Sequence, residues 1–452
     1  MTSTQPDETP GQSGSGKFTA FRHRPFVLYF LARIFTTFGA QILSVAVIWH
    51  IYDLTRSALF TGLVGLVQFL PLALLVLVTG TAADQFGRRM IMGLSILLAA
   101  ACAAAMMALT ATGAINATLM LIVLSVFGVA RAFLGPASSS LVVSLVPSGD
   151  FANAVTWNSS AWQGATIVGP AAGGLLLSLG EPGFAHWLQD IGKPEVGELL
   201  NGRGPEIAYV TAFAFMALGA VLVFAIPRPP KAPPRERPTL SNMLEGFRFI
   251  WKQKIILGAI SLDLFAVLMG GVIALLPIYA QDILKLGPEG LGWLRAAPGI
   301  GAIAVAGVLA AFPIRDHAGR VMFICVGLFG VFTLVFGLST IAWVSILALM
   351  LLGAADMVSV VVRETLLQLW TPDEVRGRVN AVNSVFVSAS NELGEFRAGT
   401  MAHAIGPAAI GAVPAVVIGG VGAIVVAGTW ALLFPQLRRA RRLDGSDVEL
   451  TR

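Results

Sequence analysis

Twelve long apolar stretches, separated by short segments rich in charge, Gly or Pro, constrain the fold of this chain more than any other feature. A helix needs about 20 mostly apolar residues to cross the hydrocarbon core of a bilayer. Backbone polar groups find no water in lipid, so such stretches must be helical. The sequence therefore predicts an all-α membrane protein with twelve transmembrane helices. The predicted spans are residues 25–52, 57–80, 90–111, 117–145, 153–179, 207–226, 255–281, 290–312, 320–340, 343–370, 379–404 and 411–434.

The composition supports a membrane protein and argues against several other classes. Charged residues make up 12% of the 452 residues, against about 25% in soluble proteins. The two cysteines, Cys102 and Cys325, lie in separate apolar stretches, which argues against a disulfide framework or a cysteine-based metal site. We expect no metal, no cofactor and no nucleic-acid partner; the expected partners are the lipid bilayer and a small-molecule substrate, bound by a monomer.

The basic residues predict the orientation of the chain in the membrane. With the N-terminus inside, 21 of the 30 Lys and Arg fall on the cytoplasmic side, four fall in the opposite loops and the rest lie within spans. The positive-inside rule then places both termini in the cytoplasm of a bacterial-type inner (plasma) membrane. The first 16 residues contain no apolar stretch, so we expect the first span, and no cleavable signal peptide, to direct insertion.

An internal repeat predicts that the twelve helices form two pseudo-symmetric six-helix halves. Asp84-Gln-Phe-Gly87-Arg88 follows span two, and the similar Asp316-His-Ala-Gly319-Arg320 follows span eight. One further register relates a set of pairs: Pro147 with Pro372, Asn158 with Asn383, Gly169 with Gly394, Gly174 with Gly399, and Arg131 with Asp356. Repeats in one register indicate a duplicated unit. The predicted divisions are a disordered cytosolic N-terminus (1–21), an N-terminal half (22–226), a cytosolic linker with an interfacial helix (227–254), a C-terminal half (255–436) and a cytosolic tail (437–452).

Two motifs resemble those of a known family. The loop after span two reads Gly80-Thr-Ala-Ala-Asp84-Gln-Phe-Gly87-Arg88-Arg89, and span four carries Arg131-Ala-Phe-Leu-Gly135. Both resemble motifs of the major facilitator superfamily, the second being typical of proton-coupled members. The segments YDLTRSA after span one and PRERPTLSNMLEGFRFI before span seven are similar to the enterobactin-exporter branch of drug and siderophore efflux proteins. The resemblance implies a secondary active exporter that works by proton antiport.

The loop after span two is a candidate conformational latch between the halves. A glycine at Gly87 permits a tight turn between antiparallel spans, and Asp84 and Arg88 are placed to pair at the cytosolic face. The candidate latch residues are Gly80, Asp84, Gly87, Arg88 and Arg89. The alternative is a solvated turn that follows the positive-inside rule.

Charged residues inside the spans predict a central polar cavity. An ionisable residue at bilayer depth costs about 2.5–3.5 kcal/mol, so it faces a partner or a cavity. Polar residues form stripes on three helices: Arg33 to Ser44 on span one, Asp356 to Arg363 on span ten, and Ser388 to His403 on span eleven. The candidate cavity and proton-coupling residues are Arg33, Gln41, Arg131, Asp263, Asp356, Arg363, Glu392, Glu395 and Arg397.

Two interpretations of these charges stay open. Structural ion pairs between packed helices are the alternative to a cavity, above all for Arg131 and Asp356, which the repeat relates. Glu392 and Glu395 favour proton coupling, because neighbouring acids on one helix face tend to hold a shared proton. On span five, Gly169, Pro170 and Gly173 permit close helix packing.

The predicted function is proton-coupled export of a siderophore or a drug-like molecule. The chain lacks the G-x-x-x-x-G-K-[ST] pattern, so the expected energy source is the proton gradient and not ATP. An importer of a nutrient or metal chelate with the same fold would use the same carboxylates and is the first alternative. A membrane-embedded enzyme is the second, although no cluster of catalytic type lies at a loop–membrane boundary.

Overall fold

The computed structural model describes residues 18–228, 240–314 and 316–439, without the side chains at 76, 77, 80–85, 240–244 and 373. Within these ranges the chain is helical and contains no β-strand. The long helices of the N-terminal half are α1 (Arg24–Thr55), α2 (Ala58–Phe86), α3 (Arg88–Ala111), α4 (Ala117–Val142), α5 (Phe151–Ser178) and α6 (Gly204–Ala225). Those of the C-terminal half are α7 (Lys254–Gly270), α8 (Gly287–Ala311), α9 (Ala318–Leu338), α10 (Ala342–Trp370), α11 (Asp373–Ile405) and α12 (Ala408–Leu433).

Ten helical segments in the described ranges are long and apolar enough to cross a membrane. The other two long helices, α5 and α11, have 28 and 33 residues but are more polar. At 1.5 Å per residue they measure about 42 and 50 Å, which exceeds the thickness of a bilayer core. Apolar composition and length therefore support ten of the twelve predicted spans, and length alone supports the spans at α5 and α11.

Helix α7 departs from the prediction of an unbroken span over 255–281. It ends at Gly270, and the chain continues as a 3₁₀ turn, a short helix and a π-helix over Tyr279–Ile283. The guanidinium of Arg397 donates hydrogen bonds to the carbonyl oxygens of Leu268 (3.0 Å) and Met269 (2.5 Å). Carbonyls at a helix end need such donors, so Arg397 stabilises the break. Its predicted role in the cavity stays a prediction.

Glycines that the repeat pairs make equivalent contacts in the two halves. Gly169 packs against the side chain of Gln41 on α1, and Gly394 packs against the backbone of α7 at Val267 and Leu268. Small residues let helix backbones approach closely, and here α5 approaches α1 as α11 approaches α7. The predicted pseudo-symmetry is therefore visible in the packing.

The halves meet along two helix pairs, α2 with α11 and α5 with α8. We call the side where α1 begins and α12 ends the terminal side, and the opposite side the distal side. Near the distal side, a Cβ on Gly62 would lie 2.9 Å from the Cα of Gly399, and one on Gly174 would lie 2.8 Å from the Cα of Gly292. Real Cβ atoms do not tolerate such distances, so these glycine crossings close the distal side.

Two shorter helical regions flank the long helices. Between α5 and α6 lie helices Pro182–Asp190 and Pro194–Leu200. The linker helix, Leu240–Lys252, precedes α7 and packs on the terminal end of α11, where Glu245 pairs with Arg378 at 2.7 Å. Its Trp251 is exposed, and a position of this helix at the membrane interface stays a prediction.

Candidate functional site

Exposed polar side chains occur toward the terminal side on α5 and α11, two helices that contact the opposite half. Ser159 and Ser160 on α5 and Asn380 and Ser384 on α11 are exposed. Polar groups at membrane depth face water or protein and not lipid. Since the glycine crossings close the distal side, these residues indicate a water-accessible cavity that opens toward the terminal side.

An ion pair joins the two halves at the closed end of this cavity. One guanidinium nitrogen of Arg131, Nη1, lies 3.2 Å from Glu392 Oε1 and donates a hydrogen bond of 2.9 Å to Gln68 Oε1. Arg131 and Gln68 belong to the N-terminal half, and Glu392 belongs to the C-terminal half. The acidic partner of Arg131 therefore comes from α11 of the other half, so an ion pair between packed helices and a role in the cavity both stay open for this residue.

Glu395 lies one turn from Glu392 and has no hydrogen bond or ion pair among the residues that the structure describes. The charges that act on it are those of Glu392, Arg295 and Arg131. Four charged groups, two acidic and two basic, thus share the closed end of the cavity. A carboxylate without a fixed partner is free to gain and lose a proton there.

The sequence assigned no function to Arg295. Arg295 lies near one end of the predicted span 290–312. Helix α8 begins earlier, at Gly287, so Arg295 lies about 12 Å inside the helix. It is half-buried, and Glu395 and Glu392 are the acids whose charges act on it. The sequence does hold a signal for such a residue: the neighbouring acids Glu392 and Glu395 need more than one cation nearby.

A second charged cluster lies inside the C-terminal half. Asp263 on α7 and Arg363 on α10 form an ion pair and are 6% and 3% exposed. Glu364 lies 3.6 Å from Arg363 and accepts a 3.0 Å hydrogen bond from Asn383. The half-buried Asp356 lies near this pair. These contacts join α7, α10 and α11, so Asp263 and Arg363 stabilise helix packing; a role of either residue in proton coupling stays a prediction.

The remaining candidates on α1 and α5 fall into two groups. Gln41 packs against Gly169, Gly173 packs against Ile42 and Val45, and the carbonyl of Pro170 contacts Gly292. These glycines and Pro170 therefore make close helix contacts, and Gln41 takes part in them. Arg33 is different, because its guanidinium lies 5.7 Å from the ring centre of Trp162 on α5.

The loop after α2 forms the tight turn that its sequence predicts. Gly87 has φ = +90° between α2 and α3, a conformation that favours glycine. Arg88 donates to the carbonyl of Ser140 on α4 at 3.0 Å, and Arg89 donates to the carbonyls of Val223 (3.2 Å) and Phe224 at the end of α6. These contacts lie within the N-terminal half.

The latch itself is only partly described. The side chain of Asp84 lies outside the described residues, and Gly80 is described only as part of helix α2. A contact between the latch and the C-terminal half therefore stays a prediction.

A polar cluster that the sequence did not predict closes the distal side; we call it the distal gate. It consists of Tyr52, Asp53 and Arg56 at the end of α1 and Gln281 and Asp282 in the π-helix after α7. The hydroxyl of Tyr52 donates to Asp282 across the halves, Arg56 lies 3.8 Å from Asp282, and Arg56 also pairs with Asp53 at 2.6 Å. Tyr52, Asp53 and Arg56 belong to the segment YDLTRSA, which in the sequence indicates only a family resemblance. Their partners Gln281 and Asp282 are not predictable from the sequence, because the position of these residues depends on the break in α7.

Comparison with known proteins shows that this chain is similar to membrane transporters. The sequence pattern of the transmembrane secretion effector family matches residues 15–445. The multidrug efflux pump Tap of Mycolicibacterium fortuitum is 27% identical over 409 residues, which cover 86% of this chain and 91% of that protein. The enterobactin exporter EntS of Shigella boydii is 24% identical over 404 residues, 87% of this chain and 86% of that protein.

Among solved structures, a bacterial homologue of the human lysosomal transporter Spinster, in an inward-facing and unoccupied conformation, has a similar fold. Its TM-score is 0.72 at 16% sequence identity, and the match covers 94% of this chain and 99% of that one. At this identity the likeness concerns the fold alone.

Proposed function

Because the chain belongs to the transmembrane secretion effector family of the major facilitator superfamily, we propose that it is a proton-coupled exporter of organic small molecules that works by alternating access. The family and the relatives are transporters, so the membrane-enzyme alternative is rejected. The observation that carries the proposal is the Arg131–Glu392 pair, which links the halves beside the unpaired Glu395.

Proton coupling follows from how this pair depends on conformation. When the halves rock apart at the closed end of the cavity, Glu392 and Arg131 separate and the carboxylate loses its cationic partner. Conversely, protonation of Glu392 favours the separation of the halves, since a neutral carboxyl binds Arg131 less firmly. Each event shifts the equilibrium of the other, as thermodynamic linkage requires. Glu395 and Arg295 extend the same site by one further acid and one further base.

The direction of transport is supported by the orientation and by the relatives. The excess of Lys and Arg favours a terminal side in the cytoplasm of the bacterial inner membrane. In this orientation the cavity is inward-facing and accepts cytosolic molecules. Tap and EntS are named for efflux and export, which favours export over import for this chain. Protons then enter from the outside after the distal gate opens.

Transport into inside-out vesicles tests the proposal. Vesicles are loaded at acid pH and diluted into a more alkaline buffer that contains a panel of fluorescent organic anions and cations. We expect accumulation of at least one dye, and we expect nigericin, which collapses the pH gradient, to abolish it. Vesicles that lack the protein supply the background. Accumulation that is unchanged by nigericin and needs ATP would reject proton coupling.

A further inference from the structure

Arg33 is the basic residue in the spans that has neither an acidic neighbour nor a hydrogen-bond acceptor among the described residues. Arg131 binds Glu392, and Arg363 binds Asp263. The charges of two glutamates act on Arg295, and carbonyl oxygens accept the hydrogen bonds of Arg397. A guanidinium inside a membrane is stable only with water or an anion beside it.

The neighbour of Arg33 is an aromatic ring that faces the cavity. Trp162 is 48% exposed. It shares a face of α5 with Ser159 and Thr166, at i−3 and i+4, whereas the exposed Val168 and Leu175 lie on the opposite, apolar face. The polar face cannot be the lipid-facing one, so the ring of Trp162 lines the cavity.

Both residues lie at one depth on adjacent helices. Arg33 follows the start of α1 by nine residues and Trp162 follows the start of α5 by eleven, or about 14 and 16 Å from the terminal side. The guanidinium lies 5.7 Å from the ring centre, within range of a cation–π contact. The cavity wall therefore presents a positive charge and a flat apolar surface side by side.

We propose that Arg33 and Trp162 form a substrate subsite for an aromatic organic anion. This inference rests on the proposed function and names the class of its substrate. The guanidinium donates parallel hydrogen bonds to a carboxylate or sulfonate, and the indole stacks on the attached ring. The acids of the cavity, Glu392 and Glu395, lie on the other half, so the anionic end of the substrate faces the N-terminal half.

Equilibrium binding to the purified full chain in detergent tests the subsite without any gradient. The probes are fluorescein, an aromatic anion, and rhodamine 6G, a cation with the same ring system, followed by fluorescence anisotropy. Loss of a charge-assisted contact weakens binding about tenfold or more. We expect this weakening of fluorescein binding in Arg33→Gln and in Trp162→Ala, and a smaller one in Arg33→Lys and Trp162→Phe. Rhodamine 6G binding should not weaken in Arg33→Gln.

Matched controls lie outside the cavity. Trp187 and Arg203 carry the same functional groups as Trp162 and Arg33. Trp187 lies between α5 and α6 and is 52% exposed, and Arg203 is also exposed. Trp187→Ala and Arg203→Gln should bind fluorescein as the wild type does. Should Arg33→Gln fail to purify, Arg33→Lys and Trp162→Phe, which keep the charge and the ring, carry the test.

Two results overturn the subsite. Equal fluorescein affinity in the wild type, Arg33→Gln and Trp162→Ala would make the pair a structural contact. Binding of rhodamine 6G and not of fluorescein by the wild type would assign the cavity to cations. Failure of the proposed function looks different: a protein that binds fluorescein through Arg33, yet moves no dye under a pH gradient, keeps the subsite and loses proton coupling.

Discussion

Replacing Tyr52 with Phe should release the distal gate. The substitution removes the hydroxyl that donates to Asp282 across the halves and changes little else. A hydrogen bond to a charged group is worth about 1.5–3 kcal/mol, and every 1.4 kcal/mol is a factor of ten. The bond exists only while the distal side is closed. Tyr52→Phe should therefore lower the ratio of inward-facing to outward-facing molecules by about 10- to 100-fold.

Double electron–electron resonance measures this shift directly. Spin labels at Thr112 and Thr340, both exposed at distal helix ends of opposite halves, report the opening once Cys102 and Cys325 are replaced. Tyr52→Phe should move a large fraction of the distance distribution to longer values.

The control variant is Tyr209→Phe. Tyr209 is as deeply buried as Tyr52, and its hydroxyl lies 3.0 Å from His50 within the N-terminal half. Its loss should leave the distances unchanged. An unshifted distribution in Tyr52→Phe, or an equal shift in Tyr209→Phe, would refute the role of the distal gate.

Three further predictions concern the turn, the terminal side and the orientation. Gly87→Ala should lower the Tm in detergent by straining a residue at φ = +90°, at a cost of about 1–2 kcal/mol. The hydrogen bond from His23 lowers the pKa of Asp150, so this carboxylate stabilises the fold above its ordinary pKa and ceases to do so as the pH falls through the lowered value. Asp150→Asn should therefore lower the Tm more at pH 7 than at pH 3, because the contribution of the carboxylate shrinks as the pH falls below its ordinary pKa. An impermeant maleimide added to intact cells should label Trp187→Cys and not Trp251→Cys, two positions of similar exposure.

Each of these predictions has a result that contradicts it. Gly428 is a helical glycine with open space around it, so a Tm loss in Gly428→Ala equal to that in Gly87→Ala would remove the argument from backbone strain. A Tm difference for Asp150→Asn that is the same at pH 7 and pH 3 would show that ionisation is not its cause. Labelling of Trp251→Cys in intact cells would reverse the topology.

The sequence predicts the helices well because their signals are local. Apolar length and flanking charge are read within a single span, and the predicted ends lie within a few residues of the observed ones for most helices, as for α1 and α10. The break of α7 was missed, since Gly270-Gly271 in an apolar stretch is equally compatible with close helix packing. The predicted repeat required only residue spacing, and the contacts of Gly169 and Gly394 reflect it.

The candidate site was only partly predictable because its partners are distant in sequence. Helical phase correctly brought Glu392 and Glu395 to one face, but it does not determine which cation meets them. Arg131 reaches Glu392 because α4 packs against α2 and α2 packs against α11, and Asp263 meets Arg363 within one half. These assignments depend on how the helices assemble, which periodicity within a helix does not encode.

The central claim is that protonation of Glu392 and Glu395 drives transport, and the Glu392→Gln, Glu395→Gln double variant in proteoliposomes tests it most directly. Two rates are measured on the same vesicles with a transported dye: accumulation driven by an imposed pH gradient, and exchange of labelled for unlabelled dye without a gradient. The account predicts that accumulation is lost and exchange persists, because exchange requires no net movement of protons. Gradient-driven accumulation at the wild-type rate in the double variant would contradict it.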